Sequence, residues 1–166
     1  MTFGTSWNPR AKDAALVPVR VALGSTMLYH GYEKLRGEGP RQTGEAFEGL
    51  GIRPGKAWAV ATGAAELFAG AAAVLGIATR PAAVAVLVTQ GMAVAKVHGP
   101  KGYSNLQGGM EYNLALMAIA AALLLGGPGR VSAHEALEHA IDGRGPRRLW
   151  RRARPTVLSR AVRLLG

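Results

Sequence analysis

The chain has 166 residues, enough for one domain, and 49% of them are hydrophobic although only 6% are aromatic. It contains no cysteine, which excludes disulfides, thiolate metal sites and thiol redox relays. The formal net charge is +10, and nine arginines fall after Gly129, opposed there only by Glu135, Glu138 and Asp142.

Residues 1–13 are polar and read as a tail. Four apolar stretches follow, at about 14–35, 57–76, 82–97 and 111–125. A helix needs roughly 20 residues to cross ~30 Å of hydrocarbon. The last two stretches are short, so their polar flanks are expected at the interface. Four such runs with few internal charges predict an all-α fold, a four-helix transmembrane bundle. The first run is no cleavable leader, because Arg20 interrupts it and three more spans follow.

The connections fit this reading. Residues 76–81 form a tight turn, with Pro81 suited to the first turn of the next helix. The loop 36–56 contains a short interfacial segment, 43–50, with Phe47 and Leu50 at the membrane surface. Gly-rich loops cover 99–109 and 126–129. Ser132 followed by Glu135 is a capping-box pattern, predicting a helix from Ala133 to Ile141.

Residues 132–166 read as a basic amphipathic tail. Arg147, Arg148, Trp150, Arg151, Arg152 and Arg154 suit an anionic cytoplasmic leaflet better than nucleic acid. An even number of spans puts both termini on one side, and the arginine excess places that side in the cytoplasm.

Among the polar residues inside the spans, three form a group. Rises of 1.5 Å per residue place Arg20, Glu66 and Gln90 about 9, 15 and 12 Å in from the cytoplasmic edge. A charge in hydrocarbon costs at least ~2.5–3.5 kcal/mol. An Arg20–Glu66 pair with an amide from Gln90 is therefore expected. It serves either as a register-fixing ion pair or as a proton or quinone-headgroup site.

A second group lies at the outer ends of the spans. His30 and Lys34, four residues apart, share a helix face. Lys96, His98, Glu111 and Tyr112 reach the same edge from spans three and four. This is a candidate ligand site for a quinone carbonyl or anion, with snorkelling side chains as the alternative. No metal-binding spacing supports His30, His98 and Glu111 as ligands. His134 and His139 read as solvated. On span two, Ala61, Ala65, Ala69 and Ala73 repeat every four residues and read as a close-packing face.

Several phrases, in order, resemble the DoxX family of bacterial membrane proteins. They include Tyr29-His30-Gly31-Tyr32-Glu33-Lys34-Leu35, Phe47-Glu48-Gly49-Leu50-Gly51-Ile52, and Gly63-Ala64-Ala65-Glu66-Leu67-Phe68-Ala69-Gly70. Further on come Leu75 to Arg80, Val97 to Gly102, Gly108 to Tyr112, and Gly127 to Arg130. The resemblance covers about residues 14–132 and implies a four-helix integral membrane protein. Some relatives are linked to thiosulfate:quinone oxidoreductase, others to membrane complexes that defend against oxidative stress.

On this basis the domains are a tail at 1–13, a membrane domain at 14–131 and a tail at 132–166. The expected role is a membrane subunit or scaffold of a redox assembly, with no stand-alone activity. The alternatives are a quinone-binding oxidoreductase subunit and a small proton-coupled transporter. The expected partners are anionic lipids and either a soluble oxidoreductase or a second copy of the chain.

Overall fold

The structure is a computed structural model and describes residues 9–141 and 164–166. The described residues are all-helical, without strands. Six α-helices succeed one another: α1 (Pro9–Leu35), α2 (Gly39–Gly49), α3 (Gly55–Leu75), α4 (Thr79–Ala93), α5 (Glu111–Gly126) and α6 (Ala133–Ile141). A π turn, Val94–His98, extends α4 directly.

Helix α1 begins at Pro9, inside the stretch expected to be a tail, and runs 27 residues. Helix α6 occupies the range expected for it. Its backbone N–H at Glu135 donates to Ser132 Oγ at 3.2 Å, which satisfies one of the orphan donors at the helix start.

Helix α1 packs on α3, α3 on α4, α4 on α5, and α5 back on α1. The most extensive packing is α1 on α3, and glycines permit its close approach. A Cβ at Gly24 would come within 2.7 Å of Gly70 O, and one at Gly31 within 2.7 Å of Gly63 O. Backbones this close leave room for no side chain at those four positions.

The buried residues of α3 are Gly55, Ala59, Gly63, Glu66, Ala69, Gly70, Ala72 and Ala73, and Ala59, Gly63, Glu66, Gly70 and Ala73 run along the middle of that face. That set steps by four and three in alternation, as a 3.6-residue turn requires. The expected stripe of Ala61, Ala65, Ala69 and Ala73 gains about 40° per step and so drifts off the face. Ala69 and Ala73 are buried as expected, whereas Ala61 is exposed and Ala65 half-buried.

The core joins Leu23, Met27, Ala69, Ala72, Ala82, Ala83, Val86, Leu116, Ala120 and Leu123. Many of these side chains are small. Larger ones, including Phe68, Leu75, Val84, Val88, Met92 and Leu125, face outward. Two helical stretches, Gly55–Leu75 and Thr79–Lys101, are long and apolar enough to cross a membrane. Helix α5 is apolar but shorter, and α1 carries internal charges.

Helix α2 lies in the loop where an interfacial segment was expected, and it is longer than 43–50. On it Arg41 bonds Glu38 at 2.6 Å and Glu45 at 2.8 Å. Those hydrogen bonds raise the Arg41 guanidinium above its ordinary value. Helix α2 seats its Gly44 on the start of α3, where a Cβ would meet Lys56 N at 2.8 Å.

Candidate functional site: a cavity beside the Lys34–Glu66 pair

Glu66 is buried on α3, and its partner is Lys34. Lys34 Nζ donates to Glu66 Oε2 at 2.6 Å, with the side chains 22% and 6% exposed. The expected pairing with Arg20 does not form. The register explains why. The Gly24–Gly70 and Gly31–Gly63 contacts set Arg20 opposite the end of α3, where its guanidinium abuts Gly76. Glu66 then lies level with about His30, some ten residues or ~15 Å further along α1. Lys34 is only one turn beyond that level, and its stem spans the gap.

Arg20 performs a different task. Its Nη1 donates to Pro128 O at 2.6 Å and to Val131 O at 2.8 Å, and Nη2 to Val74 O at 3.4 Å. These carbonyls belong to the last turn of α3 and the turn before α6. A helix C-terminus leaves carbonyls without intrahelical partners, and a buried cation suits them. Its Nε, although buried, has no partner among the described residues.

Gln90 also departs from the expected triad. Its Oε1 accepts from Asn113 Nδ2 at 2.8 Å, and its Nε2 reaches Met27 Sδ at 3.9 Å. This amide pair ties α4 to α5 in the interior. Asn113 is buried, so the pair satisfies polar atoms that water cannot reach.

A cavity of about 660 Å³ opens between the end of α1, α2, α3 and α4 with its π turn. Its walls are mainly apolar: Phe47, Ile52, Trp58, Val88, Met92, Ala93 and Val97. Lys34, Glu66, Thr62, Thr89, Arg53, Lys96 and His98 supply the polar groups. His98 Nδ1 lies 2.7 Å from Gly108 O. A carbonyl only accepts, so Nδ1 carries the proton, and in the neutral ring Nε2 is the acceptor nitrogen.

The expected outer cluster is thus brought together in part. Lys34, Lys96 and His98 line the cavity; His30, Glu111 and Tyr112 are not among its lining residues. His30 is half-buried, with its ring edge-on to Tyr29 at 5.5 Å between centroids. Tyr112 Oη lies 3.4 Å from Thr26 Oγ1, on the α1–α5 side. Glu111 is half-buried at the start of α5.

Phe47, Arg53, Trp58, Thr62 and Thr89 were not anticipated as site residues. The signal that bears on them is the glycine pair Gly44 and Gly55, which brings α2 against α3. His134 is buried rather than solvated, and its backbone N–H donates to Gly76 O at 3.1 Å. His139 is exposed, as expected. Arg147, Arg148, Trp150, Arg151, Arg152 and Arg154 lie outside the described residues.

No group of three or more His, Asp or Glu side chains among the described residues is placed to hold a metal ion. The pocket is mainly apolar, with hydrogen-bond donors at one wall. The Lys34 ammonium has three N–H groups, of which Glu66 takes one.

A model of the DoxX family matches residues 15–99, just over half of the chain. The match runs from α1 through the π turn and includes Lys34, Glu66, Lys96 and His98. No curated protein and no solved structure matches the chain. The family match and the two long apolar helices suggest a membrane protein. The chain belongs to the DoxX family.

Proposed function

We propose that the chain is a multi-pass protein of the bacterial inner membrane, with four membrane-crossing helices, α1, α3, α4 and α5, and both termini cytoplasmic. Residues 14–131 form the membrane domain, and the basic tail after it rests on anionic lipid. The outward-facing Phe68, Leu75 and Val84 support this reading, since large apolar side chains there suit lipid better than water. An alkaline phosphatase fused after Gly166 is expected to be inactive. An active fusion overturns the topology.

Its proposed role is a membrane subunit of a redox assembly that holds a lipid-soluble molecule for a partner protein. The observation that carries this is the cavity of about 660 Å³ with the Lys34–Glu66 pair in an otherwise apolar wall. Ligand cavities are typically about 300–1,000 Å³, apolar, with a few placed polar groups. A quinone fits that description. Its ring would lie against Trp58 and Met92, and its carbonyls would accept from Lys34. Without a cysteine, the chain supplies no thiol to carry electrons, so its contribution is binding and orientation.

The test is to purify the protein with its native lipids and measure quinone per protein. The wild type is expected to retain about one quinone per chain, well above the ratio in bulk lipid. Thr62→Trp, which fills the cavity, is expected to lose it. Equal quinone content in the two proteins overturns the reading.

A further inference from the structure

The polar lining of the cavity is unbalanced in charge. Lys34, Arg53 and Lys96 are cationic, and Glu66 is the one carboxylate among the lining residues. Lys34 and Glu66 neutralise each other at 2.6 Å. Arg53 and Lys96 are exposed on α2–α3 loop and π turn, and no ion pair engages either of them among the described residues. Two positive charges therefore remain in excess at the cavity. The apolar wall of Trp58, Val88, Met92 and Val97 runs beside them.

We infer that this cavity selects an amphiphile with an ionised acidic head, its apolar body against Trp58 and Met92 and its anion between Arg53 and Lys96. The inference rests on the reading of the cavity as a ligand site and adds the charge of the ligand to it. A neutral head would give neither cation a charged partner. An anionic head gives each a charge-assisted partner, and such bonds are about twice as strong as neutral ones. Trp58, Val88 and Met92 are each about half exposed. That side of the cavity is therefore open laterally, and a guest dissolved in a bilayer reaches it without crossing water.

The shared chemistry, one acid on an apolar body, has two sources: an acidic ring compound such as a hydroxyquinone, or an acyl-chain acid. The experiment separates them. The full chain, carrying Trp7→Phe and Trp150→Phe so that Trp58 is the reporter, is placed in nanodiscs of neutral phosphatidylcholine. Its fluorescence is titrated with 2-hydroxy-3-undecyl-1,4-naphthoquinone, which is ionised at neutral pH, and with the uncharged 2-methyl analogue. Empty nanodiscs correct for partitioning.

The hydroxy compound is expected to bind about tenfold more tightly, a gap that Arg53→Gln/Lys96→Gln narrows to about twofold or less. Both substituted residues are exposed, so the double variant is expected to fold as the wild type does. Displacement of the hydroxyquinone by palmitate, but not by hexadecanol, assigns the anion preference to acyl acids as well. Failure of palmitate beside a retained tenfold preference assigns it to the acidic ring. Equal binding of the two quinones overturns the charge inference and leaves the cavity as a ligand site. Quenching by neither quinone overturns both.

Discussion

Lys34 and Glu66, 32 residues apart in sequence, meet at 2.6 Å in the wall of the cavity and tie the end of α1 to the middle of α3. The acid is buried, and that ammonium is its ion-pair partner among the described residues. Removing Lys34 alone leaves an uncompensated carboxylate, which is costlier than losing the pair. Lys34→Met is expected to lower the melting temperature in detergent more than Lys34→Met/Glu66→Gln does. A double-mutant cycle should give a coupling of roughly 0.5–3 kcal/mol. A coupling near zero would mean the contact does not hold in the folded protein.

Arg20→Ala is expected to destabilise more than Glu66→Ala. Arg20 serves carbonyls of Val74, Pro128 and Val131, and none of the three can shift its charge to compensate. Charged hydrogen bonds are worth about 1.5–3 kcal/mol each, and the 3.4 Å one less. A loss of several kcal/mol is expected, partly restored by Arg20→Lys. Thermal unfolding of the purified variants in one detergent checks the order; equal losses would contradict it.

Gly31→Ala and Gly91→Ala are both helical glycine-to-alanine changes, with opposite expected signs. A Cβ at Gly31 would press on Gly63 O and Leu67 N, each 2.7 Å away, and overpacking costs about 1–3 kcal/mol. A Cβ at Gly91 meets nothing within 4 Å, so helix propensity is left to act, with a gain of up to ~1 kcal/mol. Melting temperatures moving the same way for both would count against the close α1–α3 crossing.

Gln90 and Asn113 form a satisfied pair in the interior. Asn113→Leu strands a buried amide oxygen and is expected to cost about 1–3 kcal/mol. Adding Gln90→Leu should recover most of that, because no polar atom is then left unpaired. Stability curves for the two single variants and the double variant test this, and a double variant worse than either single one would refute it.

The helices were legible because apolar runs, Pro81 and the Ser132 cap are local signals. Glu66 also stood out, since a carboxylate at the centre of an apolar run is conspicuous wherever it lies. Its partner was not legible. Counting depth from span ends presumes that the helices begin in one plane, whereas α1 is already helical at Pro9 and its register is set by Gly24 and Gly31 against α3. The cavity was half legible for the same reason. Lys34, Lys96 and His98 share an end of the helices, but Phe47, Arg53 and Trp58 join them only because Gly44 seats α2 on Gly55 and Lys56. That fit is tertiary and leaves no period in the sequence.

The π turn at Val94–His98 amounts to one surplus residue in the winding of α4. Each residue of an α-helix advances its side chain by about 100°. The surplus therefore acts as a fixed angular offset between the half of α4 that packs on α3 and α5 and the few residues that carry Lys96 and His98. Deleting Ala95 would cancel the offset while removing only a methyl side chain. Val86 and Gln90 would keep their places, and His98 would swing away from the Gly108 carbonyl that it now meets. Quinone retention by that deletion variant would read the offset directly: the aim of the cavity's polar edge is stored in a count of residues, and not in any one side chain.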